Sequence, residues 1–269
     1  MKLLSSYKYN MKSYKNTGIV LAVVILTLLV IQAALLIVGY FTISSTEPIM
    51  ITASGFDTII TLFIFIMACT TFKNNFNMQM QNSVSRKTQF NSTLLSGITF
   101  CAITAFGFVL LFVLVNVFLT PFYINLFPHS KEMLEANYQF FDSAYYTLFF
   151  PAKALNFSNV FWTFLVILTT NFAAFLLGCL CSNIFYRLPN DVLRVVVFLS
   201  PFFLIFMVFP IFDFICFEGE LTIALGNFID AILGLSTFEP WKFTCSFIVA
   251  SIFVAVIFFL VHRKTSVKK

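Results

Sequence analysis

Charge is what this sequence has least of. Only 10% of its 269 residues are Asp, Glu, Lys or Arg, where a water-soluble domain carries roughly 25%. Too few groups remain to cover a surface facing water. Histidine occurs twice, at His129 and His262, and no His, Cys, Asp and Glu set has the spacing of a metal site. None of the nine glycines precedes a lysine, which excludes a GxxxxGK[ST] phosphate loop and with it an ATPase in this chain. Intramembrane proteolysis would need a Ser–His pair, an Asp pair or a metal set within the apolar runs, and no histidine falls there. The expectation is a non-enzyme with no cofactor of its own. In place of charge the chain has apolar bulk: 60% hydrophobic residues, 39 of them Phe, and a mean hydropathy of +0.95. A soluble enzyme, a disordered tail and a collagen-like chain are excluded. The sequence reads as a multi-pass protein of the cell membrane.

A bilayer core about 30 Å thick asks for roughly 20 mostly apolar residues per helical span. Six runs qualify, at about 18–41, 51–72, 94–118, 159–181, 195–216 and 243–261. They are apolar on every face, unlike the alternating ten-residue strands of a barrel, so the fold class is all-α. The first run, with 24 residues, exceeds the roughly 7–15 of a signal-peptide core and reads as an uncleaved span. With the N-terminus inside, 13 of the 16 basic residues lie on the cytoplasmic side, and only Lys131, Lys153 and Lys242 lie outside. Positive residues are retained on the cytoplasmic face, which places both termini and the basic tail 262–269 inside. The net charge of +5 is then topological and implies no nucleic acid. The six cysteines fall in or beside spans, where Cys serves as a small apolar residue; a Cys216–Cys245 disulfide near the outer surface is the alternative.

Residues 1–17 have their own pattern. At 100° per residue Leu3, Leu4, Tyr7, Met11 and Tyr14 fall in one stripe, with Lys8, Lys12 and Lys15 beside it. That predicts a short helix lying on the inner leaflet, apolar stripe in lipid and Lys among anionic headgroups; an unstructured basic leader is the alternative. Between spans two and three, residues 73–93 form a polar inner segment without acids, long enough for a helix end, a turn and a helix start. Ser85 is placed as an N-cap, with Arg86 and Lys87 on the exposed first turn after it. Met78, Met80, Val84 and Phe90 add apolar groups suited to docking a protein; simple positive-inside decoration is the alternative.

The string NSVSRKTQF at residues 82–90, after the second of six spans, resembles the N-G-[VI]-S-R-K-T-x-F stretch of type-two ABC export permeases, with Ser83 where Gly is usual. The leading surface helix, six spans and internal termini match that family over nearly the whole chain. The resemblance implies that Asn82, Ser83, Val84, Ser85, Arg86, Lys87, Thr88 and Phe90 form the region touching a cytoplasmic ATP-binding subunit, which carries the ATP and magnesium. It also implies a second permease subunit, as homodimer or heterodimer, and short re-entrant helices before the last span.

Outside, the apolar stretch 223–238 is too short to cross and is ended by Pro240. It reads as a re-entrant segment or as a helix resting on the outer leaflet. Asp57, about 9 Å along span two at 1.5 Å per residue, and Asp213 near the outer end of span five are interfacial acids or parts of an extracellular gate, joined there by Phe228, Ile232 and Phe238. The aromatic patches at 138–141 and 145–150 are expected to anchor the chain at headgroup depth. Asn171 is read as glue between helices, or as lining the pathway. Gly97, Cys101 and Ala105, four residues apart, form a close-packing stripe. The function expected is an exporter's membrane subunit moving amphipathic or lipophilic cargo, such as a hydrophobic peptide or drug. A non-transporting sensor or assembly factor that recruits a cytoplasmic partner is the alternative.

Overall fold

The computed structural model describes residues 2–42, 55–119, 143–150, 155–188, 190–203 and 220–263. Among these residues every regular element is helical: α1 Lys2–Thr42, α2 Phe56–Gln81, α3 Arg86–Leu114 with a π-helical end at Val115–Leu119, α4 Ala144–Phe149, α5 Phe157–Arg187, α6 Asp191–Phe203, α7 Glu220–Leu233 and α8 Pro240–Arg263. Among the described residues four helices are long and apolar enough to cross a membrane: Phe56–Gln81, Arg86–Phe118, Phe157–Arg187 and Pro240–Arg263. Each satisfies its own backbone, which hydrocarbon requires. The chain is a helical membrane protein by this measure. Asp213, Cys216, the second half of the expected fifth span, the patch at 138–141 and most of the basic tail lie outside the described residues; Cys245 is a free thiol.

Helix α5 is the centre. It packs against α2, α8, α3 and α4, while α1 lies along α3 and α7 along α8. Of the apolar part of α5, 61% is buried in protein, against 17% for α8, so among the described residues α8 packs along one side only. Small residues set the closest approaches. A Cβ on Gly178 would stand 2.5 Å from the Phe65 carbonyl oxygen, and one on Gly97 would stand 2.2 Å from the Phe175 ring. Gly97, Cys101 and Ala105 are all buried, and Gly97 meets Phe175 of α5, as their spacing foretold. Asn171 of α5 is buried and its Oδ1 accepts the Thr61 hydroxyl proton of α2 at 2.8 Å, which makes it glue.

Aromatics fill both ends of the bundle. At the end holding the α2–α3 turn, Phe72, Phe76, Phe90, Phe258, Tyr186 and His262 pack ring to ring. At the other, Phe112, Tyr146, Phe149, Phe150, Phe243 and Phe247 do the same. Of the patch at 145–150, Tyr146, Phe149 and Phe150 are buried in protein. The cause is α4, which turns them onto α3 and α8, and burial pushes both the Tyr145 and Tyr146 phenols up.

The N-terminal stretch is not a separate helix: α1 runs unbroken from Lys2 to Thr42. Leu3 and Leu4 are exposed. The inward row is Ser6, Asn10, Tyr14 and Leu21, one face at spacings of four and seven. The expected stripe therefore divides, because polar groups with partners can occupy the interior. The Ser6 and Ser92 hydroxyls share a hydrogen bond of 2.8 Å, and Gln79 Nε2 donates to Asn10 Oδ1 at 2.7 Å. Tyr7 reaches the Thr99 hydroxyl at 3.4 Å, Met11 Sδ accepts from the same hydroxyl, and Tyr14 packs edge-on against Phe175.

Candidate functional site

The segment 73–93 contains only four residues that are not helical. Helix α2 continues to Gln81 and α3 begins at Arg86, because Asn75, Gln79, Gln89 and Ser92 lie against neighbouring helices instead of water. The turn between them is a Schellman motif: Val84 N–H donates to the Gln79 carbonyl and Ser83 N–H to the Met80 carbonyl, both at 3.0 Å. Ser83 takes φ 52°, the left-handed conformation that glycine adopts freely and a side chain resists by about 1–2 kcal/mol. Serine thus makes the same tight turn at a cost. Replacing Ser83 with Gly is expected to raise the protein's melting temperature in detergent, by the equivalent of about 1 kcal/mol. Ser83→Val, whose branched side chain crowds that conformation further, is expected to lower it.

Ser85 is the N-cap of α3: its hydroxyl accepts from Thr88 N–H at 3.3 Å and shares a 2.8 Å hydrogen bond with the Thr88 hydroxyl. Lys87 and Asn82 are exposed. Arg86 differs from expectation. It is half-buried, and its guanidinium donates to the Arg263 carbonyl at the end of α8. Arg187, from the end of α5, donates to the Val261 carbonyl, and Arg194 donates to the Phe185 and Leu188 carbonyls at 3.1 Å. Positive-inside topology counts these three arginines only as charge. Arg194 caps the C-terminus of α5, where carbonyls lack helical partners and the helix dipole favours cations, and Arg86 and Arg187 hold carbonyls in the last described turn of α8. Phe90 packs on Phe258 and Phe259 with ring centroids 5.4 and 5.0 Å apart. The turn is thus joined to the end of α8 by one polar and one aromatic contact.

Beside the turn, α1 closes an open depression of about 370 Å³ whose rim includes Ser5, Tyr9, Met78, Asn82 and Val84. The start of α1 and the α2–α3 turn, separate features in the sequence, form one surface here. Beneath it lies a polar cluster that sequence reading missed. Asn75, Gln79, Gln89, Thr93 and His262, with Tyr14, Phe72 and Phe76, surround a cavity of about 10 Å³. Asn75 Nδ2, Gln79 Oε1 and both amide atoms of Gln89 have no hydrogen-bond partner among the described residues. Such a space is about the size of one water. Only the run of uncharged amides in 75–89 could have flagged it.

At the opposite end, Asp57 belongs to the first turn of α2 rather than lying deeper in a span, and it is fully buried. Its carboxyl oxygens accept from Thr58 N–H at 3.0 Å, the Ser143 hydroxyl at 2.8 Å and Tyr145 N–H at 3.0 Å. Ser143 in turn N-caps α4 by accepting from Tyr146 N–H at 3.2 Å. Asp57 therefore clasps two helix N-termini. Phe228, Ile232 and Phe238 are exposed, on α7 and the turn after it. Those elements are tied to α8: the Ser246 hydroxyl donates to the Ile232 carbonyl at 2.9 Å. Hydrogen bonds from Ser236 of that turn hold the carboxyl of Asp230, on α7, below its ordinary range. Among the described residues no group of three or more His, Cys, Asp and Glu could hold a metal. Comparison with protein-family models, with curated proteins and with solved structures finds no match for this chain.

Proposed function

We propose that this chain is the permease subunit of an ABC exporter, moved by a separate cytoplasmic ATP-binding subunit that grips the turn 82–85. The observation that carries the reading is the turn itself. Two membrane-length helices are joined by four residues with a cap on each side, beside an exposed depression, and tied to the last helix by Arg86 and Phe90. A contact so stiffly joined passes displacement to α2, α3 and α8 together. The motif at 82–90 favours the ABC class over a passive anchor.

In this reading the chain crosses six times with both termini cytoplasmic, α7 with its following turn is re-entrant, and a second permease subunit completes the pathway. ATP and magnesium sit on the partner. Closure of the nucleotide-bound ATPases pushes the turn, α2 and α3 tilt, and α8 moves with them through its two contacts. At the far end of α2 the Asp57 clasp on α4 transmits the same tilt outward, where α7 parts. Exposed aromatics such as Phe106, Phe118 and Phe253 suit amphipathic or lipophilic cargo, since burying apolar area stabilises the bound state.

Docking and transmission separate by mutation. With candidate ATPases co-expressed, replacing Met78, Asn82 and Lys87 together is expected to abolish co-purification. Replacing Arg86 and Phe90 by Ala is expected to leave co-purification intact while removing cargo-stimulated ATP turnover. If both variants bind and turn over ATP as wild type does, the coupling assignment fails. Cargo efflux that persists with ATP depleted would identify a carrier instead, and ATPase-independent recruitment of another cytoplasmic protein would favour the sensor reading.

A further inference from the structure

A groove of about 450 Å³ runs between α1 and α3. Its floor is Leu21, Ile60, Phe100 and Phe108, all buried, and its lips include the exposed Ile19 and Ile103. Gly18 and Gly107 make it concave, and nothing lies within 4 Å of where a Cβ on Gly107 would stand. From Lys15 at one end to Leu26 it extends about 17 Å at 1.5 Å per residue, on the scale of a lipid chain. The interior is apolar and the single charge is at the mouth. Lys15 is exposed and has no carboxylate partner among the described residues, and α1 contains no acid.

We infer that this groove holds one acyl chain of an anionic glycerophospholipid whose phosphate pairs with Lys15. The charge decides the occupant. A neutral apolar helix from a second copy would fill the groove equally well but leave the ammonium without a counter-ion. The phosphate of a zwitterionic lipid is already balanced by that lipid's own cation, so only an anionic lipid brings net negative charge to Lys15. A lysine stem laid along apolar surface with its head at the interface reaches a phosphate without desolvation. Lys8 and Lys12, two turns and one turn nearer the N-terminus, add a diffuse attraction to the same leaflet but do not line the groove. The inference requires only that these helices lie in a bilayer and is independent of any ATP-driven export.

The test is native mass spectrometry of the full chain, purified in detergent and titrated with phosphatidylglycerol or phosphatidylcholine of identical chains. One phosphatidylglycerol is expected to be retained about fivefold more tightly than phosphatidylcholine, the factor expected for one lysine at the membrane surface. Lys15→Gln should erase that preference, and Lys8→Gln should leave most of it. Gly107→Phe, which plugs the groove, should reduce retention of both lipids without lowering the melting temperature; Gly107→Leu replaces it if the larger plug prevents folding. Equal retention of the two lipids, equal effects of Lys8→Gln and Lys15→Gln, or unchanged retention in the plugged variant would overturn the assignment. So would recovery of a lipid-free dimer whose contact is lost on plugging, since the groove would then belong to a second copy.

Discussion

Asp57→Ala is expected to destabilise the protein by about 3 kcal/mol and to release α4 from the bundle. Three donors end on this carboxyl group, and a buried donor left without a partner costs about 1–3 kcal/mol. Thr58 N–H keeps some of the helix-end hydration available to it, so the loss should concentrate on Ser143 and Tyr145. Asp57→Asn retains one accepting oxygen but turns an NH₂ group toward donors, and should fall about midway. Ser143→Ala removes both its bond to Asp57 and the cap on Tyr146 N–H, typically about 1 kcal/mol for the cap alone. Thermal unfolding in detergent measures the totals, and hydrogen exchange at the Tyr145 and Tyr146 amides shows whether α4 opens locally. If Asp57→Ala leaves both unchanged, the clasp contributes nothing and the aromatic packing alone holds α4.

Gly178→Val is expected to have the larger effect, about 3 kcal/mol or more, with loss of a monodisperse folded peak on size exclusion. Overpacking a close interface ordinarily costs about 1–3 kcal/mol because side chains shift to other rotamers. Here the obstacles are the Phe65 carbonyl at 2.5 Å and the Ala68 Cβ at 2.8 Å, which move only with α2 itself. Helix α2 cannot withdraw without breaking the Thr61–Asn171 hydrogen bond and the Cys69 thiol's contact to the Gly178 carbonyl. Gly97→Ala meets the Phe175 ring instead; that ring is fully buried, so the cost should be smaller than for Gly178→Val but not absent. Gly107→Ala, with open space around it, is the matched control and should be near neutral.

The two ends of α2 explain why much of the candidate site is legible in the sequence and part is not. Ser85 as a cap and the turn at 82–85 are legible because capping chemistry is local: a hydroxyl and an N–H three residues on meet whatever lies around them. The Gly97, Cys101 and Ala105 stripe is legible because small size matters only where helices touch. Arg86, expected on an exposed turn, instead reaches Arg263, 177 residues away in sequence. Nothing near residue 86 announces a carbonyl acceptor there. Asp57 is similar: its donors come from residues 143 and 145, so its role depends on where α4 docks.

Hydropathy by itself determined that this chain is helical and belongs in a bilayer, since only helices satisfy their backbone over runs so apolar, and the local chemistry of residues 82–88 determined the turn. Which face of each helix turns inward was decided only by tertiary packing. In lipid an outward face and a buried face are both apolar, so periodicity carries little contrast between them. On α1 the expected lipid-facing stripe splits: Leu3 and Leu4 point outward as expected, while Tyr14 turns inward on the same face as Ser6 and Asn10. Hydrogen-bond partners on α2 and α3 made polar side chains the better choice for the interior, while lipid or solvent accepts leucine from any direction.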